Sequence, residues 1–143
     1  MWEPSRRKPA EKFPNPDTDG QPMKILLLIA HGSRREASND EVRRLTHRLN
    51  AINPPGFAGV ETAFLELAQP SIPEGLAACV AKGASEIVVF PYFLAAGTHV
   101  ASDIPEEIQA FQASHPQIKI SLTRHLGDSD LLPQAILRVA RAV

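Results

Sequence analysis

Ile25-Leu26-Leu27-Leu28-Ile29-Ala30, followed at once by His31-Gly32-Ser33, is the stretch that decides the fold. Six consecutive apolar residues bounded by a glycine are too short for a typical helix and show no alternation. They read as a strand buried on both faces. Strands of that kind belong to parallel sheets, which need a crossover helix between one strand and the next.

The residues downstream supply those crossovers. Val42, Leu45, Leu49 and Ile52 form an i, i+3, i+7, i+10 apolar stripe. Ser38 and Glu41 have the spacing of a capping box for that helix, and Asn53-Pro54-Pro55-Gly56 ends it. Val60 to Leu67 reads as a second strand. A second capping box, Ser71-Ile72-Pro73-Glu74, opens a helix running to about Lys82, with Gly83 placed for a left-handed C-cap. Glu86 to Phe93 makes a third strand. Asp103-Ile104-Pro105-Glu106 is expected to cap a third helix that carries Ile108 and Phe111 and stops before Pro116. Ile118 to Thr123 makes a fourth strand. Leu131 to Val143 makes a last helix with Leu132, Ile136, Val139 and Val143 on one side. Strands alternating with helices predict a three-layer α/β domain over residues 23–143, with a four-stranded parallel sheet covered on both faces and a flavodoxin-like strand order, 2-1-3-4.

Residues 1–22 hold five of the thirteen prolines amid charged and small side chains. Too little apolar surface is available there to offset the entropy of ordering, so the segment reads as a flexible proline-rich leader. Its acidic residues, Glu3, Glu11, Asp17 and Asp19, argue against a transit peptide, and the absence of an apolar core argues against a secretory signal. Fifteen basic and sixteen acidic residues leave a formal charge of -1, which offers no basic face for nucleic acid. No apolar stretch approaches the roughly 20 residues of a membrane span. The lone Cys79 excludes an internal disulfide and a CxxC metal site, and it falls on the apolar side of the second helix. A cytoplasmic protein is expected.

Open α/β sheets bind ligands beyond the carboxyl ends of their strands, where the strand order reverses. His31 directly follows strand one. Glu66 lies at the end of strand two, and His99 lies in the loop after strand three. Two imidazoles and a carboxylate suit a borderline divalent ion such as Fe²⁺, Co²⁺, Ni²⁺ or Zn²⁺. With so few protein ligands, coordination positions stay open, as handing the metal on requires.

At these residues three blocks stand in order: Ala30-His31-Gly32-Ser33-Arg34; Phe64-Leu65-Glu66 with Pro70-Ser71-Ile72; and Pro91-Tyr92-Phe93-Leu94 through Gly97-Thr98-His99-Val100 to Asp103-Ile104-Pro105. Together they resemble the sirohydrochlorin chelatases, specifically the short single-domain cobaltochelatase/ferrochelatase type of the CbiX/SirB family, from about Lys24 to the end of the sequence. The resemblance implies a class II, ATP-independent lyase of flavodoxin-like fold. It would insert Co²⁺ or Fe²⁺, with Ni²⁺ a further option, into sirohydrochlorin in cobalamin or sirohaem biosynthesis. No cofactor would be permanently bound. A short form resembles half of the two-domain long form, which implies a homodimer. The family's two histidines match His31 and His99, and its glutamate matches Glu66, as metal ligands and proton acceptors. His125 departs from the family pattern, which has an apolar or small residue before Leu126-Gly127.

Sirohydrochlorin is flat and apolar at its centre, with eight carboxylates on its rim. Pro91, Tyr92, Phe93 and Leu94 are expected as an apolar wall. Ser33, Arg34, Arg35 and Thr98, with the N-termini of the first and third helices, are expected to take rim carboxylates. His47 and His115 read as exposed and helix-terminal residues. Two rival functions share the same histidines. One is a non-catalytic metal or tetrapyrrole carrier. The other is a histidine phosphatase-like enzyme, but Ala30 stands where that chemistry needs a phosphate-holding arginine.

Overall fold

The computed structural model describes residues 23–143; the leader reading of residues 1–22 falls outside them. Strand β1 (Lys24–Ala30) is central, flanked by β2 (Gly59–Phe64) and β3 (Glu86–Pro91), and β4 (Lys119–Leu122) pairs with β3. All pairings are parallel and the order is β2-β1-β3-β4, as expected. Helices α1 (Glu36–Ala51), α2 (Ile72–Ala81), α3 (Thr98–Ser114) and α4 (Leu132–Arg141) alternate with the strands.

The pleat divides the sheet into two unequal faces. Ile25, Leu27, Ile29, Ala63, Ile87 and Val89 point to one face and pack with Ile72, Leu76, Cys79, Ile104 and Ile108 of α2 and α3. This is the core. The other face carries Leu28, Val60 and Phe64, buried beneath α1, beside Leu26, Val88 and Phe90, which stay only half-buried. Helix α1 holds to the edge strand β2 by polar contacts. The Asn50 carboxamide donates to and accepts from the Val60 backbone, both at 2.9 Å, and the Thr46 and Thr62 hydroxyls share a hydrogen bond. Helices thus lie on both faces as expected, but unevenly: α4 buries none of its residues, and among the described residues the α1 face is only half-covered over β3 and β4.

Two helix starts differ from the sequence reading. Helix α1 begins at Glu36, ahead of the Ser38–Glu41 pair, and that pair forms no capping box. Instead, Asn39, 2% exposed, closes the preceding loop by accepting from the Ser33 backbone N–H (2.9 Å) and donating to its carbonyl (2.8 Å). Helix α3 begins at Thr98, with Gly97 as N-cap and Pro105 inside it, so Asp103 caps nothing. Pro105 forgoes one ladder bond, having no N–H to offer four residues back. The Ser71–Glu74 capping box is present as expected, and Gly83 has φ +106°.

Candidate functional site

The carboxyl end of β1 passes straight into His31 and Gly32. Pairing with β2 continues past the strand ends, since the Leu65 N–H donates to Ala30 (2.9 Å) and the Glu66 N–H donates to His31 (3.1 Å). Gly32 has φ +96°, and a Cβ built there would lie 1.7 Å from the Glu66 carbonyl oxygen. Only glycine permits that crossing. It brings the His31 side chain over Glu66, with Nε2 and Oε2 3.2 Å apart. Both side chains are about half exposed, at 52% and 56%, so a ligand can reach them.

The pair stands between two openings of different character. Glu66 lines a cleft of about 430 Å³ together with Leu65, Ser71, Asp103, Glu106 and Glu107, and this wall of carboxylates raises the local concentration of cations. On the other side, the Phe93 ring meets His31 edge-on, with centroids 6.3 Å apart. Phe93 in turn lines a mainly apolar pocket of about 170 Å³ with Pro91, Val100, Ile104, Leu122 and His125, at whose edge stands Arg124. Arg124 also reaches Asp128 (3.4 Å) within the same rim. A second glycine fastens this pocket. Gly127, in the 3₁₀ turn Leu126–Asp128, donates to the Phe93 carbonyl (2.9 Å), and a Cβ there would lie 1.6 Å from the Leu94 carbonyl oxygen.

The other expected residues fall as follows. His99 belongs to the first turn of α3 rather than to a loop, in the helix that follows β3 in the chain. Thr98, exposed, precedes it. Ser33 is turned inward: its hydroxyl accepts from the Arg35 N–H (3.0 Å) and its backbone is held by Asn39. Arg34 is exposed beside it. Tyr92 and Phe93 part company, since Tyr92 lines a groove against α1 with Ser38, Val42 and Leu45. Leu94 is exposed. His125 joins the apolar pocket, whereas His115 stacks on Phe111 far along α3 (centroids 4.0 Å). Cys79 is fully buried, and burial pushes its thiol up to about 12. Among the described residues, no group of three potential metal ligands closes on a single point; His31 and Glu66 form a two-donor pair.

The sequence reading missed the organising work of Asn39, Gly32 and Gly127. A glycine directly after a strand-end histidine was the available signal for the crossing; a buried asparagine six residues past Ser33 left none.

The CbiX family model matches residues 25–143. The chain belongs to the CbiX family. Among its relatives, sirohydrochlorin ferrochelatase of Bacillus subtilis is 34% identical over 112 residues, which cover 78% of this chain and 42% of that protein. Of solved structures, a cobalamin biosynthesis CbiX protein from Marinobacter aquaeolei superimposes with TM-score 0.71 at 28% identity, covering 83% of this chain and 95% of that one. The sirohydrochlorin chelatase SirB from Bacillus subtilis subspecies spizizenii, in complex with cobalt, gives TM-score 0.72 at 30% identity over 85% of this chain and 51% of that one. The chain thus spans about half the length of the Bacillus relatives it matches. Among the described residues no helix is long and apolar enough to cross a membrane.

Proposed function

We propose that this chain inserts Co²⁺ or Fe²⁺ into sirohydrochlorin without ATP, as a cytoplasmic homodimer. The observation that carries the reading is the His31–Glu66 pair, standing between a carboxylate-lined cleft and an apolar pocket with a cationic edge. The cleft suits a divalent ion, and the pocket, at about 170 Å³, offers an apolar wall to one edge of a flat tetrapyrrole whose rim carboxylates need positive or donor partners. Relatives named as acting on the same tetrapyrrole with iron or cobalt support that substrate pair.

Insertion exchanges two pyrrole N–H protons for one M²⁺, so two protons must leave the macrocycle. His31 binds the metal or accepts one proton, and Glu66 Oε2, 3.2 Å from its Nε2, orients the ring. His99, at the head of α3, serves as the second imidazole. Among the described residues no closed group of ligands surrounds the pair, so the ion keeps open positions and transfers onward. Phe93 and Pro91 supply the apolar wall, while Arg34, Thr98 and the Ser33 loop serve the rim. Tyr92, turned toward α1, lies apart from that wall.

The test is spectral. Sirohydrochlorin with Co²⁺ shifts its absorption faster with the protein than without it. His31→Ala and His99→Ala bring the rate close to the uncatalysed one, and Glu66→Gln lowers it by about 10²-fold. Wild-type turnover in both histidine variants would refute the assignment. Binding of both substrates with no acceleration would favour a carrier.

A further inference from the structure

The loop between β2 and α2, residues 65–70, carries Glu66. The Phe64 N–H closes its base by donating to the Pro70 carbonyl (2.8 Å), and its first two amides donate to Ala30 and His31. Beyond Glu66 the chain turns through Leu67 at φ +66°, a left-handed conformation that is unfavourable for a residue with a Cβ. Such a conformation persists only where surrounding groups hold it. Leu67 is itself 54% exposed and buries too little to supply that hold.

Arg43 of α1 reaches the far end of this loop. Its Nη2 donates to the Gln69 carbonyl (3.0 Å), while Nη1 donates to Asp40 (2.8 Å) and to Glu36. The guanidinium also lies over the buried Phe64 ring, 5.1 Å from its centroid. A planar fork held by two acids and a ring face is oriented before it meets the carbonyl. Glu36 in turn accepts from the Asn39 carboxamide (3.4 Å), and Asn39 closes the loop that follows His31 through Ser33. The loops that carry the two members of the pair are thus fastened to the same end of one helix, the His31 side by Asn39 and the Glu66 side by Arg43.

We propose that Arg43 is a positioning residue for metal insertion, tying the 65–70 loop to α1 so that the Glu66 carboxylate meets His31. It acts through Glu66 and touches neither metal nor macrocycle. This deepens the insertion reading above and rests on it.

Arg43→Met keeps the apolar stem and removes the fork. Amide exchange followed by nuclear magnetic resonance should then speed up by about 10-fold at Leu65 and Glu66, while the buried amides of β1 stay as in the wild type. Metal insertion should fall by about 10-fold, the scale of losing a group that orients a metal ligand. Arg43→Lys, whose single ammonium cannot meet two acids and a carbonyl together, should stay close to Arg43→Met. Arg44→Met removes the same charge at an exposed neighbour and should leave both readouts near wild type. The Glu66→Gln background separates positioning from stability. There, adding Arg43→Met should slow insertion by less than about 2-fold, since a residue acting through Glu66 has no carboxylate left to orient. A further loss of about 10-fold in that background, or equal loss of protection in the loop and in β1, makes Arg43 a general stabiliser and overturns the proposal. Unchanged exchange at Leu65 and Glu66, or wild-type turnover in Arg43→Met, overturns it as well. A wild type that inserts no metal overturns the insertion reading instead, and the exchange measurement still decides whether Arg43 ties the loop.

Discussion

Replacing Gly32 by alanine puts the coupling between backbone and chemistry to the most direct test. The added Cβ would sit 1.7 Å from the Glu66 carbonyl oxygen, whereas ordinary contact begins at 3.4 Å, so one of the two backbones must retreat by about 1.7 Å. The φ of +96° adds conformational strain of about 1–2 kcal/mol for a residue with a Cβ. The hydrogen bond from the Glu66 N–H to His31 spans the same crossing, and its loss costs about 1 kcal/mol. Stability should therefore fall by about 2–3 kcal/mol, or on the order of 10 °C in Tm for a domain of this size. The functional loss should exceed what that instability explains. A misplacement of about 1 Å at reacting groups can cost around 10²-fold in rate, and this one separates His31 from Glu66 directly. Gly56→Ala is the matched control. Gly56 has φ +85° but nothing within 4 Å of the built Cβ, so it carries the strain without the clash. In the metal-insertion absorption assay, Gly32→Ala should lose at least about 100-fold, and Gly56→Ala should stay near wild type. Equal activities in the two variants would refute the claim that the glycine crossing sets the site.

Three further outcomes follow from the same geometry. Asn39→Ala leaves the Ser33 N–H and carbonyl unpaired in a part-buried loop, so it should cost about 1–3 kcal/mol in urea unfolding and slow insertion by loosening His31. The Cys79 thiol, pushed up to about 12 by burial, should resist alkylation in the folded protein; its folded value lies above the unfolded one, so the stability it contributes is complete below about pH 9 and falls by up to ~1.4 kcal/mol per pH unit as pH rises toward 12, a slope that Cys79→Ala lacks in denaturant melts across that range. Phe93→Ala removes the ring between His31 and the apolar pocket and should weaken sirohydrochlorin binding in a fluorescence titration, whereas Tyr92→Ala, on the α1 side, should leave that titration unchanged.

The strands themselves and the positions of His31 and Glu66 at their ends were legible because both depend on local pattern, whereas the order 2-1-3-4 came with the flavodoxin-like expectation. A six-residue apolar run can be buried only as a central strand, and the residue after it must lie at the sheet's carboxyl edge. Ser71 and Glu74 were legible for the same reason, since their partners lie three residues apart. The misread helix starts have a common cause. At Ser38 the capping pattern is intact, but Asn39 reaches back to Ser33 and the N-cap of α1 falls three residues earlier, at Arg35. At Asp103 the pattern is outweighed by Gly97 and by the tolerance of α3 for Pro105. The α4 stripe was read correctly as an apolar face, but periodicity reports only that a face must be covered. It does not say whether the cover comes from the same chain.

The geometry of the proposed site is local in the same sense. His31, Gly32 and Glu66 are joined by backbone hydrogen bonds across the ends of two adjacent strands, so the pair needs no second domain to hold its geometry. Its exposure is equally local, because nothing on β1 or β2 folds over it. On the α1 face of the sheet, Leu26, Val88 and Phe90 stay half-buried among the described residues. At the end of β3, Phe93 lines the apolar pocket beside His31, whereas Tyr92 lines the groove against α1. Two adjacent residues at the end of β3 thus turn to opposite faces, as the pleat of a strand requires, and only one of them stands on the side of the His31–Glu66 pair.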